Sequence, residues 1–388
     1  MRDERCEGMD FYLTQKLRKR FIKTEKVMGQ SIEDAHLIEK SETEIDPFYH
    51  WHGTLSEIGH DELFIFTHNT TGMTLTFLNL VEDELIEFID LFEEGLTQLL
   101  SRFGFPEHII SQYTQSVNGH RLTKATDMKK IGKNSIVQAA LGRFTDLIDE
   151  DYLTQEALSY ALSSLKSHAD GHDESRLTHF YNEWVKTFGP IQLTIPMAEC
   201  EIRLKLEHQK DSIRLIHTPL NLPFGALHEI IQTVFLWENS HFYQFVLDDG
   251  SRLTSSRQIA EMEYYAISED RQLFSGDTTF LSDVLSTEDN RKLTYVYDFG
   301  DNWEHSITIR KVWVSSEAVP PKLLMMMGNP VPENSGGPDG YKYMMDVIND
   351  PEHENHEQLK EWLSDYITRL YSQNTVEAIN LQLDYKFK

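Results

Sequence analysis

Apolar and polar positions change their spacing several times along this chain, and each change marks an element. "ELFIFTH" (62–68) and "MTLTFLNL" (73–80) are short runs of Phe, Ile, Leu and Thr joined by "NTTG", which predicts a β-hairpin. After it, Leu85, Phe88, Ile89, Leu91, Phe92 and Leu96 recur at helical spacing, and Gly104 ends the pattern. "FPEHIISQYTQSV", with Pro106 in its first turn, "NSIVQAALGRFTDLI" and "DYLTQEALSYALSSLKSHA" predict further helices. Residues 9–40 mix charged and apolar positions as one or two helices do.

A second series begins after Gly189-Pro190. "IQLTIPM" and "CEIRLKLEH" alternate as strands do. In "NLPFGALHEIIQTVFLW", Leu227, Ile230, Ile231, Val234 and Phe235 form one apolar helical face. "HFYQFVLDDGSRL" reads as strand and turn, "TFLSDVLST" as a short helix and "LTYVYDFGDNWEHSITIRKVWV" as a central hairpin. "PENSGGPDGY" is a turn-rich loop before two helices, "YKYMMDVIN" and "PEHENHEQLKEWLSDYITRLY". The tail "VEAINLQLDYKF" alternates and reads as one more strand. The expected fold is α+β in two domains, residues 1–189 and 190–388. The second would be a small, mostly antiparallel sheet with a central hairpin packed by helices. The polar stretch "SHADGHDES" (167–175) is an alternative boundary.

Length agrees, since 388 residues exceed what one ordinary core accommodates. Charge narrows the partners. The net charge is −27, and residues 191–388 hold 17 Lys+Arg against 31 Asp+Glu, so the acidity is spread over both halves. No basic stripe offsets it, which disfavours direct binding to duplex nucleic acid. Cys6 and Cys200 are the two cysteines and have no CxxC spacing, so no disulfide framework or thiolate zinc site is implied. The start "MRDERCEGMD" is charged rather than apolar, and no run approaches a membrane span. No membrane association is expected, and a cytoplasmic location is the default.

The chemistry concentrates in "LTYVYDFGDNWEH" (293–305). With Gly300-Asp301-Asn302 as the loop, Phe299 would face Trp303, Tyr297 His305, Tyr295 Ile307 and Leu293 Ile309, giving an aromatic inner face. On the other face Asp298 would oppose Glu304, two carboxylates that repel unless a cation, a metal or a shared proton relieves them. Asp298, Asp301, Glu304 and His305 could thus form a hard-cation or acid/base site. Alternatively they are turn residues and exposed or paired acids.

Elsewhere the signals are weaker. In "DPEHENHEQLKEWL", Asp350 suits an N-cap and Pro351 a first helical position. His353 and His356 share a face and could supply metal ligands with Asp298 and Glu304. His241 would open a strand shared with Tyr243 and Phe245, either as a buried hydrogen-bonded histidine or beside the hairpin carboxylates. Gly336 and Gly337 lack the GxxxxGK[ST] pattern and read as a tight turn before a helix. His50 and His52 of "HWHG" have no obvious carboxylate or Cys partner nearby and read as surface or packing positions.

Four segments, "LHEIIQTVFLWENSHFYQF", "LTYVYDFGDNWEHSI", "GGPDGY" and "INDPEHENHEQLKEWL", resemble the plasmid pRiA4b open-reading-frame-3-like family in order and spacing. That family also occurs as passenger proteins of mobile elements. The resemblance implies an α+β fold and no established reaction. The cysteines many members carry around the Gly-Gly turn are absent here, where "VPENSGG" stands, so no thiol or zinc role carries over. "YHWHGTLSEIGHDELFIFTHNTTGMTLTF" and "SIVQAALGRFTDLI" are similar to an uncharacterised bacterial domain family.

Two functional readings follow. One is a binding or interaction module for a protein or small-molecule ligand. The family-typical Trp237, His241, Tyr243, Asp298, Trp303, His305 and Tyr341, with Asp301, Gly336 and Gly337, would line its aromatic and acidic groove. The other is a metal-dependent hydrolase-like enzyme, with Asp298, Asp301 and Glu304 as ligands or base and His241, His305 or His353 assisting. A divalent metal is the one cofactor these residues raise. An accessory role in mobile DNA elements is a third reading, and the acidity opposes it.

Overall fold

In a computed structural model of the protein, residues 8–32, 35–36, 45–114, 120–125, 137–166, 174–206, 209–264, 273–285, 292–328 and 330–387 are described. Cys6, residues 33–34 and 37–40, residues 115–117 of "FPEHIISQYTQSV", residues 134–136 of "NSIVQAALGRFTDLI", residues 167–173 of the polar stretch and residues 207–208 of "CEIRLKLEH" lie outside them. The chain divides into two compact units, Met1–Thr194 and Ile195–Lys388. Each contains sheet and helices, an α+β architecture. No helix among the described residues is long and apolar enough to cross a membrane.

The first unit holds a six-stranded sheet of β1 (Asp10–Leu13), β2 (Ala35–His36), β3 (His50–Ile58), β4 (Asp61–His68), β5 (Thr74–Leu78) and β6 (His120–Lys124), in the order β2-β6-β1-β3-β4-β5. β4 and β5 are the expected hairpin. The 9–40 region differs from expectation. Residues 10–13 are a strand inserted parallel between β3 and β6, and a helix spans only Gln15–Met28. Long-range pairing decides this, because Phe11 and Leu13 reach the core only from a strand, where Asp10 and Tyr12 then point the other way. Phe11 meets Phe66, Phe88 and Phe92 edge-on at 4.8–6.0 Å. Gly53 permits this approach, since a Cβ there would lie 2.7–2.8 Å from Leu13, Leu17 and Phe66.

The opposite face carries polar groups. Arg121 grips both carboxylate oxygens of Asp10 at 2.5 Å, and the His50 Nε2 lies 3.5 Å from the same carboxylate. His50 and His52 are 8% and 2% exposed, so both are interior. Asp10 supplies the carboxylate near His50 from forty residues away. The edge strand β5 is covered by the helix Glu156–Ser164. Ser159 and Ser163 accept from the Thr76 and Thr74 amides at 2.9 Å, which blunts an otherwise open edge. An unanticipated helix, Arg176–Phe188, is capped by the Ser175 hydroxyl and buries Leu177, Phe180 and Trp184.

The second unit holds an eight-stranded sheet. Its strands are β7 (Ile195–Leu204), β8 (Ser212–Pro219), β9 (Tyr243–Val246), β10 (Arg252–Thr254), β11 (Leu273–Ser275), β12 (Lys292–Tyr297), β13 (Trp303–Ser315) and β14 (Lys322–Met327). The order is β11-β10-β9-β12-β13-β7-β8-β14, and only β10–β11 is parallel. Of the stretches read as two strands, "IQLTIPM" and "CEIRLKLEH", residues 195–204 form the single strand β7. The helix Phe224–Phe235 lays its expected apolar face on this sheet, with Leu227, Ile230, Ile231, Val234 and Phe235 all 1% exposed or less. Burying each such side chain stabilises by about 1.5–3 kcal/mol. The tail is a helix, Val376–Phe387, rather than a strand. Ile379 and Leu383, four apart, are buried, whereas Leu381 and Tyr385 of the apparent alternation are 71% and 83% exposed. Asn380 bonds both backbone groups of Leu323 and fastens this helix to the β14 edge.

Candidate functional site

The site grows from the hairpin β12–β13. Tyr297 pairs with Trp303, Tyr295 with His305 and Leu293 with Ile307. This register is shifted by two residues from the expected pairing. An even shift keeps every side chain on its face, so the aromatic inner face survives while the partners change. The cause is the turn, which spans 298–302. Asp298 and Asn302 both take left-handed φ, 56° and 53°. The Asp298 carboxylate accepts from the amides of Gly300 at 2.9 Å and Asp301 at 3.3 Å, and the Asn302 amide donates to the Asp298 carbonyl at 2.6 Å. Asp298 therefore leaves the ladder and does not oppose Glu304. Glu304 sits across from Val296 and pairs with Lys205. Phe299, expected against Trp303, is 41% exposed at the tip.

Two more segments meet this turn. The first, residues 236–242, follows the helix Phe224–Phe235. The second is a strap, residues 330–336, leading into the helix Gly337–Asn349. His241 of the first lies with Nδ1 3.4 Å from Asp298 Oδ2 and Nε2 2.6 Å from Asn334 Oδ1 of the strap. The Asp301 carboxylate accepts from the Gly336 amide at 3.1 Å. Gly337 (φ 70°) abuts the Asp301 carbonyl so closely that a Cβ would collide with it. Trp237 stacks on Tyr297, centroids 5.1 Å apart, and donates its indole N–H to the Val331 carbonyl at 2.8 Å. The Tyr297 hydroxyl accepts from the amides of Ser240 (2.8 Å) and His241 (3.1 Å) and donates to Glu333. Burial first, then Glu333, holds the Tyr297 phenol above its ordinary range.

Among the described residues, six non-glycine positions have left-handed φ: Asn79, Leu236, Asn239, Asp298, Asn302 and Asn334. All but Asn79 lie in these three segments. Each costs free energy that the surroundings must repay, and such strain gathers where geometry serves a site.

A buried network holds the first segment from below. His228 stacks on Tyr243, centroids 3.7 Å apart. Its Nε2 donates to Asn239 Oδ1 and its Nδ1 accepts from the Tyr295 hydroxyl, both at 2.8 Å. Gln232 donates to the Tyr295 hydroxyl and accepts from the Asn239 amide, both at 3.0 Å. Burial pushes His228 down to about 4, so it works here as a neutral imidazole.

The residues singled out from sequence thus divide. His241, Asp298, Asp301 and Gly336 meet at the three-segment site, with Trp237 beneath and Gly337 behind. Tyr243, Trp303, His305 and Tyr341 are core side chains at 4%, 0%, 0% and 2% exposure. His305 packs edge-on against Phe235 and Trp237, and burial pushes it down to about 3. The suggested metal set is not assembled. No group of three or more His, Cys, Asp or Glu suited to an ion occurs among the described residues. Glu304 faces Lys205, the His353 Nδ1 accepts from the Asn355 amide, and the His356 Nδ1 contacts the Val347 carbonyl. Residues 350–355 form turns before the helix His356–Gln373, so Pro351 does not open it.

Sequence reasoning missed Tyr297, Asn239, Glu333, Asn334 and His228. One signal was available. "ENS" occurs at 238–240 and again at 333–335, and in both copies the Asn is left-handed, φ 57° and 63°.

The second unit is thus a mostly antiparallel sheet backed by helices, with a polar site where three connections meet. The chain belongs to the plasmid pRiA4b ORF-3-like protein family, whose model matches residues 198–378. Residues 10–175 match a domain of unknown function (DUF6933). The chain is similar to the uncharacterized protein y4hQ of Sinorhizobium fredii, 33% identical over 175 residues, covering 44% of this chain and 85% of that protein. It is also similar to the crystal structure of MM3350, a protein of unknown function from Methanosarcina mazei Go1. There the identity is 30%, the coverage 44% of this chain and 91% of that chain, and the TM-score 0.37.

Proposed function

We propose that the second unit is a binding module whose ligand docks at His241 and Asp298. The observation that carries this reading is the meeting of His241, Asp298 and Asn334 from three separate segments, each turned by left-handed residues. The chemistry favours a cationic, partly apolar ligand, such as a basic side chain of another protein or a small amine. Residues 236–243, 297–303 and 331–341 hold Glu238, Asp298, Asp301, Glu333 and Asp339 and no Lys or Arg. Phe242 and Phe299 stand 40% and 41% exposed in the same segments, where aromatic faces attract cations.

The test is calorimetric titration with a hexa-arginine peptide at fixed salt. Asp298→Asn and His241→Gln should each weaken binding roughly tenfold. Glu352→Gln combined with Glu354→Gln, exposed acids outside these segments, should not. Equal weakening by both sets would reduce the effect to overall charge and overturn the reading.

A second reading, acid/base catalysis, is supported by the carboxylate beside the His241 Nδ1, an arrangement that orients an imidazole. It would be favoured over simple binding if His241→Gln abolished turnover of a bound ligand while leaving its affinity intact.

A further inference from the structure

The segment 238–241 does something that the binding reading leaves unused: it holds a carboxylate. Asn239 is left-handed, so the chain reverses there and the amides on either side turn to one side, as in backbone anion nests. The Glu238 amide donates to Glu333 Oε2 at 2.6 Å, and the Ser240 amide approaches Oε1 at 3.3 Å. The Tyr297 hydroxyl donates to that same Oε1, while its oxygen accepts from the Ser240 and His241 amides. Three donors thus converge on one carboxylate from a different part of the chain. The Asn239 amide is excluded, being spent on Gln232.

The neighbour of Glu333 matters equally. Asn334, left-handed itself, places its side-chain oxygen on the His241 Nε2. We infer that the 238–241 nest with Tyr297 is a carboxylate receptor, that Glu333 is its resident ligand, and that this latch keeps the strap closed over His241. This rests on the reading that His241 faces the ligand. It adds a closed state in which the chain's own side chain occupies the nitrogen a ligand would use.

Charge explains why the occupant is internal. A free anion approaching Asp298, Asp301, Glu238 and Asp339 is repelled, whereas Glu333 is tethered and arrives at high effective concentration. An external carboxylate should therefore enter only when Glu333 is removed, because its binding then only restores the charge that Glu333 carried.

The experiment is Glu333→Ala in the full chain, with the reactivity of His241 toward diethyl pyrocarbonate mapped by mass spectrometry. Losing charge-assisted bonds should raise that reactivity roughly tenfold. Acetate should restore protection, and chloride at equal ionic strength should not. Unchanged reactivity, or equal protection by chloride, overturns the latch. Should the alanine variant fold poorly, Glu333→Gln keeps the shape and an acceptor. It should give intermediate reactivity unaffected by acetate, and wild-type reactivity there overturns the latch as well. If acetate rescues protection while hexa-arginine fails to bind, the latch stands and the binding reading falls. Peptide binding with unaltered His241 reactivity has the opposite meaning.

Discussion

The His228 Nε2 donates to Asn239 Oδ1 across 2.8 Å, joining the core helix Phe224–Phe235 to the strained residue at the centre of the 236–242 segment. Asn239 also gives its amide to Gln232 and its side-chain nitrogen to Glu229. Helix and segment are therefore one unit. His228→Leu should cost about 1–3 kcal/mol, since it strands buried polar partners. Urea unfolding measures this, and a loss below a few tenths would show the network to be dispensable.

Acid should weaken the second unit before the carboxylates are fully protonated. His228 and His305 are held down to about 4 and about 3, against about 6.5 in an unfolded chain. Between those values the unfolded state binds more protons. Stability is thus complete above pH about 6.5 and falls as pH drops, by about 1.4 kcal/mol per unit for each histidine, levelling off below its folded pKa. His305→Phe should flatten the slope of urea midpoint against pH between 6 and 4. An unaltered slope would show that His305 does not contribute.

Glu304→Gln should change stability by no more than about 0.5 kcal/mol, because Lys205–Glu304 is an exposed ion pair. A clear stabilisation in thermal melts would instead reveal carboxylate repulsion and favour the register that sets Asp298 opposite Glu304.

Gly337→Ala should cost about 1–3 kcal/mol, as φ 70° disfavours a side chain and the new Cβ meets the Asp301 carbonyl. The loss should be accompanied by faster modification of His241, since Gly337 begins the helix to which the strap leads.

In the first unit, Arg121→Ala leaves the Asp10 carboxylate buried without its bidentate partner and should cost about 3–5 kcal/mol. Replacing both, Arg121→Leu with Asp10→Leu, should recover much of that loss. Failure to recover would mean that Asp10 has a role beyond its pairing with Arg121.

Periodicity by itself determined the α+β class, the β4–β5 and β12–β13 hairpins, the core helix at 224–235 and the aromatic inner face of β12 and β13. Those features depend on which residues are apolar and at what spacing, information local to each segment. The motifs "LHEIIQTVFLWENSHFYQF", "LTYVYDFGDNWEHSI", "GGPDGY" and "INDPEHENHEQLKEWL" also determined the family.

Tertiary structure decided the rest. The strand at 10–13 exists because β3 and β6 flank it, and the tail is helical because Ile379 and Leu383 find a core to enter. The hairpin partners moved by two residues because the Asp298 side chain organises a five-residue turn, which alternation cannot detect. The site itself joins residues 241, 298 and 334 through hydrogen bonds across the fold, and His305, as suggestive in sequence as His241, went to the core instead. Which of two histidines meets water is decided by where strands and loops end in space, and no spacing along the chain encodes it.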